Sequence, residues 1–277
     1  MIGQLTGAAL RALAVALLIA LPSVLVHGAG VDHTQFVMLL SMLAAVLVIV
    51  EYNSAYPSLI AFRYAPPYNR LRFGAIFLAV LILALVQRGA THPGTLTDIM
   101  TSISVILANL TDVPYSPVRL AVLMLPADSS GDLVAAVRLA AGVCYSLSVL
   151  LILVFLGLVR FFGWPARQGA FNVWINLPMF DATSGSDVVT RLRSHARFNL
   201  ILGFLLPFIV PALVLIASGR IEIEVLAAPQ TLIWMMCLWA FLPASLMTRG
   251  IAMARIAAMI EHKRRRTYAA VEGLQAI

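Results

Sequence analysis

Charged residues are scarce in this sequence. Asp, Glu, Lys and Arg make up only 11% of the 277 residues, whereas 61% are hydrophobic. Soluble domains average about 25% charged and about 45–50% apolar residues. A soluble protein of this length could not bury so much apolar surface, so the composition predicts an all-α, polytopic integral membrane helix bundle whose outer faces contact lipid.

Cysteine and lysine are also rare. Cys144 and Cys237 lie in different apolar segments and form no CxxC pair, so we expect them to pack, without a disulfide or a redox role. Lys263 is the only lysine among 19 basic residues, a bias typical of an Ala- and Arg-rich chain from a GC-rich bacterial genome. We interpret the net charge of +7 as a topology signal and not as a nucleic-acid site.

Ionisable residues are nearly absent from the interiors of the apolar segments. In membrane proteins such residues mark proton relays, ion sites and voltage sensors, because they are costly in lipid. Glu51 and Arg138 lie within a turn or two of segment ends, and Arg11 lies about two turns in. The sequence also contains no GxSxG, HExxH, Walker or GxGxxG motif. We therefore predict no catalytic residue, and an enzyme is disfavoured.

The histidines predict neither haem nor a resident metal. Axial haem ligands come from the middle of membrane helices, whereas all five histidines lie in loops or beyond the apolar segments: His27, His33, His92, His195 and His262. The first three, with Asp32 and Asp98, leave open a zinc or copper site. No HxxxH or HxH spacing fixes them, so we expect no metal and no cofactor.

Six apolar segments are candidates to cross a bilayer core about 30 Å thick. The third is strictly apolar for only 15 residues, so we expect flanking arginines to extend it, with their charged heads at the interface. The chain is predicted to be a single membrane domain, 1–277, in which 248–277 form a basic, helical, cytoplasmic tail. The predicted spans are 5–26, 31–52, 73–87, 133–159, 198–217 and 226–247.

The basic residues predict the orientation. With both termini in the cytoplasm, 14 of the 19 basic residues fall in the two cytoplasmic loops and the tail. We therefore expect a multi-pass protein of the bacterial inner (plasma) membrane with both termini cytoplasmic.

Between the third and fourth spans, residues 102–126 form two apolar runs separated by Asp112, Pro114 and Pro117. Each run is too short to span, and one span made of both would place a charge and two prolines in lipid. We expect short helices within 99–126 that either lie at the outer interface or form a re-entrant hairpin.

The stretch EYNSAYPSLIAFRYAPPYNRLRF, residues 51–73, is rich in tyrosine, arginine and proline. Its tyrosines occupy positions typical of an aromatic interface belt, and its arginines obey the positive-inside rule. We predict that this loop is ordered and packs against residues 160–197 or a partner. The basic cluster of the tail favours contact with anionic headgroups. The candidate partner or lipid contacts are Tyr56, Arg63, Tyr64, Tyr68, Arg70, Arg72, Lys263, Arg264, Arg265 and Arg266.

Two function classes remain open. The lack of catalytic residues favours an accessory, structural or assembly subunit that binds other membrane proteins, and anionic lipids at the cytoplasmic face. The alternative is a transporter or channel for a lipid-like or small neutral solute. Pro207 and Pro211, four residues apart in the fifth span, are candidate hinge residues for that alternative, although a static kink also fits.

Overall fold

The computed structural model describes residues 2–26, 31–55, 58–165, 173–177, 180, 187–217 and 223–275. Within these residues the backbone forms only helices and the turns that connect them. The helices are α1 (Ile2–Leu25), α2 (Val31–Asn53), α3 (Tyr68–Gly89), α4 (Thr95–Thr111), α5 (Pro117–Leu123), α6 (Gly131–Phe161), α7 (Val173–Asn176), α8 (Val188–Ile216), a 3₁₀ helix (Ile223–Ala227) and α9 (Pro229–Gln275). The all-α prediction is confirmed for the described chain.

Six of the helices are long and apolar enough to cross a membrane: α1, α2, α3, α6, α8 and α9. Each overlaps one of the six predicted spans, although α8 begins at Val188, ten residues before the predicted start of the fifth span. The third begins at Tyr68, five residues before its strictly apolar part, so Arg70 and Arg72 lie within its first turns. The sixth continues without a break through the predicted tail, and the first part of that tail is buried in the bundle at Ala252, Met253, Ile256 and Ala257.

The main buried core lies between α3, α6 and α9. Its alanines, such as Ala84, Ala141 and Ala240, have almost no exposed surface, and their small side chains let helix backbones approach closely. α8 packs along α9, and α1 joins α3 and α9 to α2. Among the described helices, α2 contacts only α1, so the α1–α2 pair lies at the edge of the bundle.

The short helices expected within 99–126 are present as α4 and α5, although α4 begins earlier, at Thr95. α4 packs against α3 and α6, and α5 packs against α6 and α8. Asp112, between them, is buried and forms ion pairs with Arg119 at 2.8 Å and Arg138 at 2.6 Å. Arg138, which the sequence places near a segment end, joins the α4–α5 turn to α6 through this ion pair.

Candidate functional site at the basic end of the bundle

One end of the bundle, which we call the basic end, brings together Arg11 of α1, Arg70 and Arg72 of α3, and Arg249 and Arg255 of α9. The loop between α2 and α3 and the segment after α6 fold over this end. Arg255 Nε donates a hydrogen bond to the carbonyl of Trp164, at 3.2 Å. The basic end therefore joins residues from most of the chain.

An aromatic cluster forms the centre of the basic end. Tyr68 at the start of α3 contacts the rings of Phe62, Phe155 and Trp164, with centroid distances of 4.5, 5.2 and 6.1 Å. Leu192 and Ile256 are buried in the same cluster, so it also holds α8 and α9. Tyr68 is 1% exposed. Its predicted role as a surface contact in an aromatic belt is therefore wrong, because the loop folds back and buries the ring.

The loop before α3 is joined to Trp164 and Asn176 by hydrogen bonds. Phe62 N donates to the carbonyl of Asn176 at 2.7 Å, and Tyr64 N donates to Asn176 Oδ1 at 3.0 Å. Trp164 Nε1 donates to the carbonyl of Ala65 at 3.2 Å. The prediction that this loop packs against residues 160–197 is confirmed for the described residues. Tyr56, at the beginning of the loop, lies outside them.

Glu51 holds the first part of the same loop. Its Oε1 accepts hydrogen bonds from the backbone N–H groups of Ser58, Leu59 and Ile60, at 2.6, 2.7 and 3.0 Å. The residue is 6% exposed. Arg63 closes the loop from the other side, because its guanidinium donates to the carbonyls of Glu51 and Ser54. Arg63 is thus a structural residue of this loop. The sequence placed Glu51 near a segment end but did not predict its hydrogen bonds to the loop.

A cavity of about 560 Å³ lies beside this loop, between the C-terminal part of α2, the first turns of α3, and the middle of α1 and of α9. Four arginines line it: Arg11, Arg70, Arg72 and Arg249. The guanidinium of Arg11 lies over the Tyr52 ring at 4.7 Å, and that of Arg72 lies over the Tyr68 ring at 5.4 Å. No Asp or Glu is among the described lining residues. The other lining residues are Ala14, Val15, Val48, Tyr52, Leu59, Ile60, Ala61, Tyr68, Asn69, Phe73, Leu242, Ser245 and Leu246.

The basic cluster of the tail projects beyond this packed end. Residues 262–269 of α9 are all exposed. Glu261 pairs with Arg193 of α8 and, at 2.8 Å, with Arg265. Arg264 pairs with Asp187, which caps α8, at 2.6 Å; this hydrogen bond keeps the pKa of Asp187 below its usual value. Lys263 and Arg266 belong to the same exposed surface.

The candidate hinge residues sit in a close helix pair. Pro207 and Pro211 are buried within α8. The carbonyl of Pro207 accepts a hydrogen bond from Trp239 Nε1 of α9, at 3.2 Å. A Cβ atom on nearby Gly203 would lie 2.8 Å from the carbonyl oxygen of Pro243. These contacts favour a fixed kink, since bending α8 here would break the hydrogen bond and separate the two backbones.

Metal ligands do not gather in the described part of the chain: it contains no group of three or more His, Cys, Asp or Glu side chains arranged to hold an ion. His27, the first of the histidines considered above, lies outside the described residues. The Sγ atoms of Cys144 and Cys237 lie 3.7 Å apart across α6 and α9, so the two buried thiols share a hydrogen bond without a disulfide. Comparison with protein-family models, curated proteins and solved structures finds no match for this chain.

Proposed function

We propose that the chain is a non-catalytic, multi-pass protein of a bacterial inner membrane, with both termini in the cytoplasm, that serves as an accessory or assembly subunit for other membrane proteins. Six apolar helices of spanning length support the membrane placement. The concentration of arginine at the basic end supports its cytoplasmic orientation.

The proposed docking role rests on the C-terminal part of α9, which extends beyond the bundle as an exposed helix. The helix is buried as far as Ala257 and then exposes residues 262–269, including four consecutive basic residues, Lys263–Arg266. The pairs Arg193–Glu261 and Asp187–Arg264 tie this arm to the beginning of α8. A positively charged arm held in one direction favours an acidic partner, because less conformational freedom is lost on binding and opposite charges speed encounter.

Two exposed tyrosines at different places in the fold give a test with an internal control. Tyr268 lies on the arm and is 67% exposed, whereas Tyr115, in the α4–α5 turn, is 90% exposed. A photoreactive phenylalanine analogue placed at position 268, in native membranes, should form a discrete cross-linked species with another protein. The same analogue at position 115 should not form that species.

The charge dependence of the cross-link completes this test. The double change Lys263→Glu and Arg266→Glu should reduce the cross-linked fraction at least tenfold while leaving the amount of protein in the membrane unchanged. If position 268 gives no discrete species, or if the charge reversal has no effect, the docking proposal fails.

A transporter or channel for a lipid-like or small neutral solute is the second candidate. The aliphatic part of the cavity at the basic end supports a lipid-like substrate, because side chains such as Leu242 and Leu246 line the cavity beside the arginines. The contacts around Pro207 count against a hinge in α8. Movement of a fluorescent lipid or of a neutral solute in reconstituted vesicles, compared with empty vesicles, tests this candidate directly.

A further inference from the structure

We infer that the cavity at the basic end is a binding site for a phosphate ester, with the headgroup of an anionic membrane lipid as its source. The inference is independent of the docking role, because residues 242–249 of α9 line the cavity, whereas the exposed arm is formed by residues 262–269.

The charge of the cavity is the first argument. Four guanidinium groups surround a space of about 560 Å³, with no carboxylate among its described lining residues. Arg11, Arg70, Arg72 and Arg249 form no ion pair with the described residues. The nearest acid along α2, Glu51, is already engaged by three backbone amides. Like charges this close repel one another, and a bound anion would turn that repulsion into attraction.

Buried donors without acceptors are the second argument. The Nε atoms of Arg72 and Arg249 are buried and have no hydrogen-bond partner within the described chain. An N–H group that loses water and finds no acceptor lowers stability, and the cost is greater for a charged group. Phosphate oxygens are the acceptors that match the planar fork of a guanidinium, whereas a neutral ligand would leave the positive charges uncompensated.

The apolar wall distinguishes a lipid from a soluble phosphate. Val15, Val48, Leu242 and Leu246 line the cavity and lie within three of the membrane-length helices, α1, α2 and α9. Basic pockets between membrane helices near the cytoplasmic surface bind anionic headgroups in general. A free phosphate would use only the arginines, but a phospholipid would also cover these aliphatic side chains with its acyl chains and gain their burial.

Neutral donors complete the site. Tyr52, Asn69 and Ser245 also line the cavity. Their hydroxyl and amide groups are suited to the glycerol or ester oxygens next to a phosphate. The site thus has a cationic part for the phosphate, polar side chains for the linking atoms and an aliphatic wall for the chains.

Lipid binding to the purified full-length protein in detergent, followed by native mass spectrometry, tests the inference. The probes are dioleoyl phosphatidylglycerol, dioleoylglycerol, which lacks the phosphate, and glycerol 3-phosphate, which lacks the chains. We expect phosphatidylglycerol to bind at least tenfold more tightly than either of the other two. Equal binding of dioleoylglycerol would overturn the phosphate assignment. Equal binding of glycerol 3-phosphate would overturn the lipid as source.

Two double variants that remove the same number of arginines, one in the cavity and one on the arm, show where phosphatidylglycerol binds. The double variant Arg72→Gln and Arg249→Gln should bind phosphatidylglycerol at least tenfold more weakly, since each charge-assisted hydrogen bond lost weakens binding by about tenfold or more. The control Arg265→Gln and Arg266→Gln removes the same charge from the exposed arm and should change binding less than twofold.

A second cavity variant covers the case in which changes at the half-buried Arg72 and Arg249 prevent folding. Arg11 and Arg70 are exposed, so Arg11→Gln with Arg70→Gln should leave the fold intact and still weaken binding about tenfold. Equal weakening by the cavity variants and by the arm control would mean general surface attraction and would overturn the site. So would unchanged binding in both cavity variants.

Discussion

The Glu51 carboxylate accepts three backbone N–H bonds from the loop that follows its own helix. Without it, those three amides would lose their acceptor within the described chain. The carboxylate thereby shapes the loop that covers the arginine-lined cavity. At the level of single residues, this contact fixes the loop of the basic end to the end of α2.

We predict that Glu51→Gln destabilises the protein by about 2 kcal/mol, because hydrogen bonds to a charged group contribute about 1.5–3 kcal/mol and the Gln side chain turns one acceptor into a donor. The midpoint of thermal unfolding in detergent should fall by several degrees, and trypsin should cleave after Arg63 more rapidly. Glu261→Gln is the control. Its ion pairs with Arg193 and Arg265 are exposed, so its loss should cost less than about 1 kcal/mol. Equal shifts in the two variants would contradict the role of Glu51.

Neither Glu51 nor Tyr68 could be assigned correctly from the sequence. Both stand at the boundary of an apolar segment, and residues at such a boundary are commonly interfacial. Their burial comes from the folding back of residues 58–65, which is a tertiary event without a local periodicity. The packing of this loop against residues 160–197 could be predicted from the sequence. The loop contains more aromatic side chains and prolines than a simple connection needs.

At the scale of elements, α4 and α6 approach each other closely at Gly142. A Cβ atom on Gly142 would lie 2.5 Å from the Cα atom of Ala108. Only glycine fits there, since a backbone atom cannot rotate away as a side chain can. Gly157, in the same helix, has its nearest neighbour at 4.0 Å, at the edge of the Phe161 ring. Gly142 and Gly157 thus lie in the same helix but differ in how closely a neighbouring group approaches them.

We predict opposite effects for the same substitution at these two glycines. Gly142→Ala should destabilise the protein by about 1–3 kcal/mol, because α4 must move away from α6. Gly157→Ala should be neutral or stabilising by up to about 1 kcal/mol, because alanine is the better helix former. Thermal unfolding of both variants in one detergent measures the difference. A Gly142→Ala variant as stable as Gly157→Ala would show that α4 does not cross α6 at this point.

The elements themselves were largely predictable, and their contacts were not. Apolar runs of about 20 residues identified all six long helices, because length and hydropathy suffice to recognise them. The break between α4 and α5 was correctly predicted from Asp112 and the two prolines that follow it. The pairing of Asp112 with Arg119 and Arg138 could not be foreseen, since nothing in the sequence tells which face of α6 meets the turn.

For the whole molecule, the charged groups separate into two kinds. In the α4–α5 turn, Asp112 neutralises Arg119 and Arg138 by direct ion pairs. At the basic end, the arginines of the cavity have no such acid among the described residues. The first arrangement stabilises the chain internally, whereas the second leaves positive charge for an outside ligand. That asymmetry supports the orientation proposed above, since arginine is enriched on the cytoplasmic side of membrane proteins.

Labelling of single cysteines in intact cells tests this orientation. Cys144 and Cys237 are buried, and replacing both with alanine gives a background without reactive thiols. Asp128→Cys, before α6, and Thr267→Cys, on the arm of α9, both introduce a thiol at an exposed position. A maleimide that does not cross the membrane should label position 128 in intact cells, and position 267 only after the membrane is opened. The reverse pattern would place the arginine-lined cavity on the outer side, which would exclude both the proposed cytoplasmic docking arm and a lipid of the inner leaflet as the ligand.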